Sequence, residues 1–201
     1  MARLDTDRQE IAATLVVYGA PQSGKTTILH CIQDRVAPER RGAFTPLGTD
    51  VSVAPLLDWL PLDLGTIGGW RVRVHLYAVP DQRHADATRR LILADTDAVL
   101  FAADSQAGRL TENITALASL RENLDDHDGH PRTVPIVFLQ TKRDLPEELL
   151  LTPASLDAEL NPEGQPSFPC SPLRGDGVLE ALHAAIMLMM RQLAPARARS
   201  R

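Results

Sequence analysis

Gly19-Ala20-Pro21-Gln22-Ser23-Gly24-Lys25-Thr26 is the stretch that decides how this chain folds. It has the spacing G-x-x-x-x-G-K-[ST], and both flanks agree with it. Upstream, Ala12-Ala13-Thr14-Leu15-Val16-Val17-Tyr18 is an apolar, β-branched run that reads as a buried strand. Downstream, Ile28, Leu29, Ile32 and Val36 recur at helical spacing, so a helix starts near Gly24. A strand, a glycine-bounded loop and a helix N-terminus together make a phosphate cradle. Backbone N–H groups converge on the anion, and the helix dipole adds partial positive charge. Gly19 and Gly24 bound the loop, with Gln22, Ser23 and Thr27 along it. Lys25 is the residue that reaches the outer phosphates, and the Thr26 hydroxyl is the Mg²⁺ ligand. The alternative, a chance match in a glycine turn, leaves the two correct flanks unexplained. The predicted ligand is a nucleoside polyphosphate.

Length and charge fit one such domain. The 201 residues are enough to bury a substantial core. A net charge of −5 argues against a nucleic-acid partner. Cys31 and Cys170 form no ligand-spaced set, so neither a zinc site nor a disulfide framework is implied. The start, Met1-Ala2-Arg3-Leu4-Asp5, lacks the apolar core of a signal peptide, and no apolar run reaches membrane-spanning length. The expectation is a cytoplasmic protein with no integral membrane segment. Its domain spans 1–195, followed by a basic flexible tail at 196–201 with no C-a-a-X box.

The rest of the chain alternates strand and helix. Trp70, Val72, Val74, Leu76 and Ala78 alternate with Arg71, Arg73, His75 and Tyr77, as in a half-buried strand. Leu60-Pro61-Leu62-Asp63-Leu64 precedes it, and the linker Gly65-Thr66-Ile67-Gly68-Gly69 predicts an antiparallel hairpin. A helix over 83–93 and a strand over 98–103 follow. Leu110, Ile114, Leu117 and Leu124 mark a longer helix. The apolar run 134–140 reads as a central strand. Thr152-Pro153 opens a short helix that Asn161-Pro162 stops. Asp176 is the predicted cap of the last helix, with Val178, Leu179, Leu182, Ile186, Met189 and Leu193 facing inward and Met187, Met189 and Met190 filling the core. The predicted fold class is α/β: a P-loop, doubly wound, mostly parallel sheet with one antiparallel hairpin edge.

Thr141-Lys142-Arg143-Asp144 bears on the base, because ligands of open parallel sheets sit beyond the carboxyl ends of strands. A carboxylate at Asp144 can accept from guanine N1–H and its exocyclic amine, a donor pair that adenine lacks. Lys142 would lay its aliphatic stem over the base plane. This favours guanine over adenine, although Lys-Arg-Asp also occurs in exposed turns. Cys170-Ser171-Pro172-Leu173 either closes over the base edge, through Ser171 and Pro172, or is a plain proline-rich loop.

The phosphate loop, Leu60-Pro61-Leu62-Asp63-Leu64-Gly65, His75-Leu76-Tyr77-Ala78-Val79-Pro80 and Lys142-Arg143-Asp144-Leu145-Pro146 together resemble the MglA-type family of bacterial Ras-like small GTPases. The resemblance covers about residues 15–193. It implies a Ras-like fold, a GTP/GDP switch with Mg²⁺, and a roadblock-type (MglB-like) regulatory protein that stimulates hydrolysis. It also implies work in cell polarity or motility, with recruitment to a cell pole or membrane surface through partners. Gln82 matches the catalytic glutamine that orients the attacking water.

The departures from the family pattern fall on hydrolysis. Asp81 stands where the family has a glycine whose N–H meets the γ-phosphate. Val53-Ala54 aligns with an Arg-Thr pair that supplies an internal arginine finger, a group worth roughly 10³–10⁵ in rate. Ala78 lacks the threonine that the family has in place of the Mg²⁺-linked aspartate of Ras. Thr49 is either a substitute switch hydroxyl or an ordinary loop threonine, and Asp50 and Asp58 either help hold metal or are solvated loop carboxylates, the default reading. Thr141 replaces the usual asparagine, as in Rho-type members. Two readings remain: a slow GTP/GDP switch that needs a partner to hydrolyse GTP, and a non-hydrolysing, pseudo-GTPase scaffold for roadblock-type proteins. A P-loop kinase would need lid arginines, for which Arg143 and Arg174 are the available candidates.

Overall fold

In the computed structural model, which describes residues 2–47, 57–79, 86–125 and 134–198, a short strand β1 (Arg3–Asp5) turns back antiparallel onto β2 (Glu10–Gly19). The apolar run of 12–18 is the body of β2. Six of its residues from Ile11 to Tyr18 are buried in the layers on either side of the sheet, and Leu15, Val16 and Val17 are fully buried. Then come α1 (Lys25–Arg35), β3 (Thr45–Leu47), β4 (Leu57–Ile67), β5 (Trp70–Ala78) and α2 (Asp86–Ala94). The second half is β6 (Ala98–Asp104), α3 (Leu110–Asp125), β7 (Ile136–Thr141), α4 (Pro153–Leu160), β8 (Ser167–Pro169) and α5 (Val178–Ala198).

One sheet runs in the order β3-β4-β5-β2-β6-β7-β8. β5, β2, β6, β7 and β8 are parallel; β4 and β3 add an antiparallel edge. This is the doubly wound α/β class expected, with the hairpin edge extended by β3 and with β1 added to β2. The order reverses at β2, whose neighbours β5 and β6 follow it on opposite sides, and a ligand crevice belongs at the carboxyl end of such a strand. Alternation along β2 sends Leu15 and Val17 to the face under α1 and α5, and Val16 and Tyr18 to the face under α2, α3 and α4. β6 is buried along its whole length, as a central parallel strand must be. Among the described residues no helix is long and apolar enough to cross a membrane.

Several sequence expectations need correction. The hairpin turns at Gly68-Gly69 rather than across the whole glycine-rich linker, because β4 continues through Gly65 to Ile67 with a bulge between Asp63 and Gly65. Ile114 is 43% exposed, and its neighbour Asn113 is buried instead. The reason is polar: Asn113 Oδ1 accepts from the Asp104 N–H and its Nδ2 donates to the Asp104 carbonyl, closing the end of β6. Met187 is exposed, whereas Met189 is buried and Met190 packs at the margin of the same core. Asp176 is not a helix cap: α5 starts at Val178, the Ala181 N–H meets the Gly177 carbonyl, and Asp176 bridges to Ser171 by backbone. Leu193 lies in α5, but its side chain is outside the description. The same helix continues to Ala198, so 196–198 are helical. Thr152 does cap α4, accepting from Ser155 N–H at 3.1 Å.

His75 gives the fold a pH dependence. Burial pushes its pKa down, with Arg73 adding to the effect, and Trp59 Nε1 donates to its Nδ1 at 3.2 Å. Both favour the neutral ring in the folded state, while the unfolded chain protonates near ~6.5. This contribution is therefore present above that pH and is lost as the pH falls below it. The thermal midpoint is expected to drop between pH 7.5 and 5.5, and less in His75→Phe, as scanning fluorimetry would show.

Candidate functional site

The phosphate loop joins the carboxyl end of β2 to α1. A Cβ at Gly19 would collide with the Ala102 carbonyl of β6, so only glycine lets the strand pass there. Gly24, at φ 97, is the N-cap of α1, and a Cβ on it would meet nothing within 4 Å. That space belongs to the cradle. No side chain caps α1 and no acid occupies its first turn, which keeps the positive end of the helix open to an anion. Lys25 is only 6% exposed; its Nζ donates to the carbonyls of Ala20 at 2.8 Å and Gly19 at 3.2 Å, centring the ammonium in the loop.

From this loop a cleft of ≈ 570 Å³ runs to the end of β7. Gln22, Ser23, Gly24, Lys25, Thr26 and Thr27 line one end of it; Thr141, Lys142, Asp144 and Pro172 line the other. Gly19 lies beneath the loop rather than in the lining, and Ser171 stands behind Asp144. The two ends are tied together by Thr141, fully buried, whose hydroxyl donates to the Ser23 carbonyl at 2.9 Å, with the Ala103 carbonyl at 3.1 Å. Thr141 is thus a rivet between β7 and the phosphate loop.

The far end is organised around Asp144. Ser171 Oγ donates to Asp144 Oδ1 at 2.8 Å, and the loop that carries Ser171 is closed on itself, since the Ser171 carbonyl accepts from the N–H groups of Arg174, Gly175 and Asp176. Arg35, at the end of α1, braces this loop by donating to the Arg174 carbonyl. Ser171 therefore orients one carboxylate oxygen and leaves acceptor capacity on the other. Lys142 holds φ 68, a left-handed backbone conformation, and its ammonium lies 3.9 Å from the buried Asp104 carboxylate. That contact draws the aliphatic stem along the cleft wall. Arg143 turns away: its guanidinium donates to the Leu151 carbonyl at 2.7 Å and to Gln140 Oε1 at 3.1 Å. Arg174 reaches the Asp144 carbonyl at 3.3 Å. Both arginines suggested as kinase lid groups are thus engaged in holding the base-side loops.

Asp58 departs from the solvated-loop reading. It is not a loop carboxylate but the second residue of β4, directly opposite Ala78 of β5. Thr26 Oγ1 donates to Asp58 Oδ2 at 2.7 Å, and Asp58 lines the cleft. A carboxylate oxygen thus stands across the hairpin from Ala78, whose side chain carries none. A hydroxyl and a carboxylate in contact are the hard oxygen donors that suit Mg²⁺, which takes one or two protein oxygens and completes its shell with phosphates and water. Among the described residues no three His, Cys, Asp or Glu side chains gather, so there is no all-protein cage that would suit a different metal. Leu173, at the end of the stretch offered for the base edge, is 77% exposed on the cleft rim. Gln82 lies outside the described residues, as do Thr49, Asp50, Val53, Ala54, Pro80 and Asp81.

Cys170, which precedes the base-side loop, is inert. Burial pushes its thiol up to about 12. Iodoacetamide at pH 8 is expected to leave Cys170 unmodified in the native protein and to label it once the chain is unfolded, a difference that peptide mass spectrometry reads directly.

A strand–loop–helix cradle at the reversal point of this sheet defines a P-loop, Ras-like α/β protein. The chain is 36% identical over 193 residues, 96% of its length and 98% of the relative's, to the mutual gliding-motility protein MglA of Myxococcus xanthus (strain DK1622). The chain belongs to the MglA-type family of Ras-like small GTPases. No family model matches it.

Proposed function

We propose that this protein is a guanine-nucleotide switch that binds GDP and GTP in the cleft between Lys25 and Asp144. The observation that carries the reading is the pairing of two preset ends. The Lys25 ammonium is centred in the phosphate loop at one end, and the Asp144 carboxylate is oriented by Ser171 at the other. Lys25, the loop N–H groups and the start of α1 neutralise the phosphates. Asp144 accepts from N1–H and the exocyclic amine of guanine, while Lys142 covers one face of the base. Thr26 and Asp58 are the residues that would hold Mg²⁺, which would supply positive charge against the negative charge of the phosphates. Chromatography of the nucleotide released on denaturing the purified protein tests the reading: guanine nucleotide supports it, and adenine nucleotide contradicts it.

Hydrolysis in this reading is slow. Gln82 orients the water, but Asp81 adds negative charge where charge must be stabilised, and Val53 supplies no arginine. Turnover without a partner is expected at or below the intrinsic Ras scale of about 10⁻⁴ per second. Val53→Arg with Asp81→Gly should raise single-turnover hydrolysis more together than the two separately, because both act on one charge. No gain in the double variant would favour a pseudo-GTPase scaffold. By analogy with its gliding-motility relative, the protein would act in motility; the resemblance to the family adds cell polarity and a roadblock-type regulatory partner.

A further inference from the structure

Arg109 ends a 3₁₀ turn, Ala107–Arg109, between β6 and α3. Its Nη2 donates to the carbonyl of Pro21, at the tip of the phosphate loop, at 2.7 Å. Its Nη1 donates to Glu112 Oε1 at 2.9 Å, so the guanidinium is gripped on two sides. The turn that carries it is itself fixed. The Asp104 carboxylate accepts from the Gln106 N–H and from Gln106 Nε2, the Arg109 N–H meets the Gln106 carbonyl, and the buried Asn113 pins the Asp104 backbone. A rigid arm thus reaches from the end of β6 to the phosphate loop.

The point of contact matters because proline has no N–H. Pro21 offers an anion no donor, which leaves the Gln22 N–H as the next one along the loop tip. In a trans peptide the carbonyl and the following N–H point in opposite directions, and no cis peptide bond occurs among the described residues. By holding the Pro21 carbonyl, Arg109 turns the Gln22 N–H away from itself, and Gln22 lines the cleft. Gln22 also has φ 62, a left-handed conformation that a side-chain-bearing residue adopts rarely unless something holds it.

We propose that Arg109 is a positioning residue for polyphosphate binding: it fixes the Pro21–Gln22 peptide so that the Gln22 N–H faces the phosphates of the bound nucleotide. This rests on reading the cleft as a guanine-nucleotide site. Arg109 does not touch the base end, so its effect belongs to the phosphates beyond the first.

Calorimetric titration of the full chain with GDP and with GMP, in Mg²⁺, separates the outcomes. In Arg109→Gln, GDP affinity should fall about tenfold, the size of one hydrogen bond to a charged group. GMP affinity should change less than about twofold, and Arg109→Lys, which keeps the charge and a donor, should recover part of the loss. Should Arg109→Gln fail to fold, Arg109→Lys carries the comparison, with a smaller loss again confined to GDP. Equal losses for GDP and GMP, or unchanged GDP affinity in a folded variant, would overturn the role of Arg109. A wild type that binds no guanine nucleotide would overturn the reading of the cleft, and this role with it.

Discussion

Lys25→Ala is expected to weaken binding of both GDP and GTP by about 10²- to 10³-fold. The ammonium is buried and centred in the loop by two carbonyls, so its position is set before any anion arrives. Truncating one partner of a buried, hydrogen-bonded charge pair costs about 2–5 kcal/mol, which converts to a loss of that order. Lys142, the other lysine of the cleft, cannot compensate, because its ammonium is drawn to Asp104 at the base end. The fold should survive: the core on both faces of the sheet is untouched, and the Thr141–Ser23 contact still holds the loop. Titration with a fluorescent GDP, alongside a thermal midpoint for each protein, makes the measurement. An affinity within threefold of wild type would show that the loop does not grip phosphate through Lys25.

Asp144→Asn is expected to move base preference from guanine to xanthine. Guanine presents two donors to Asp144, whereas xanthine presents one donor and, in place of the amine, a carbonyl acceptor. An asparagine supplies the matching acceptor and donor. Sites built to hydrogen-bond a polar edge reject analogues that leave those groups unpaired by as much as about 10⁴–10⁵. A substantial reversal in the GDP to XDP affinity ratio, on the order of 10³-fold or more, therefore follows from one atom changed. Ser171 would still meet the amide oxygen, so the new side chain keeps its orientation. Retained guanine preference in the variant would show that the base is read elsewhere.

Much of this site is legible in the sequence because its parts are local. The strand 12–18, the phosphate loop and the start of α1 are contiguous, and each is specified by short-range rules: β-branched residues, glycine backbone freedom and helical spacing. Asp144 is legible because it directly follows a central strand. Asp58 is legible only as a choice between holding metal and being solvated, since its meaning depends on register. Only when β4 pairs with β5 does it come opposite Ala78 and within reach of Thr26. A sequence window shows an acid before Trp59, and nothing in the window chooses between those two readings. Asn113 was missed for a related reason. Apolar spacing favours Ile114, whereas the end of β6 needs an amide, and that need is written on another element. Arg109 belongs to the same class, its partner being 88 positions away.

The most direct test of the account is a pair of calorimetric titrations of nucleotide-stripped protein with GDP and with ADP, in Mg²⁺ at pH 7.5. The account expects saturable, one-to-one binding of GDP and an affinity for ADP weaker by about 10³-fold or more. Equal affinities, or binding of ADP alone, would contradict it.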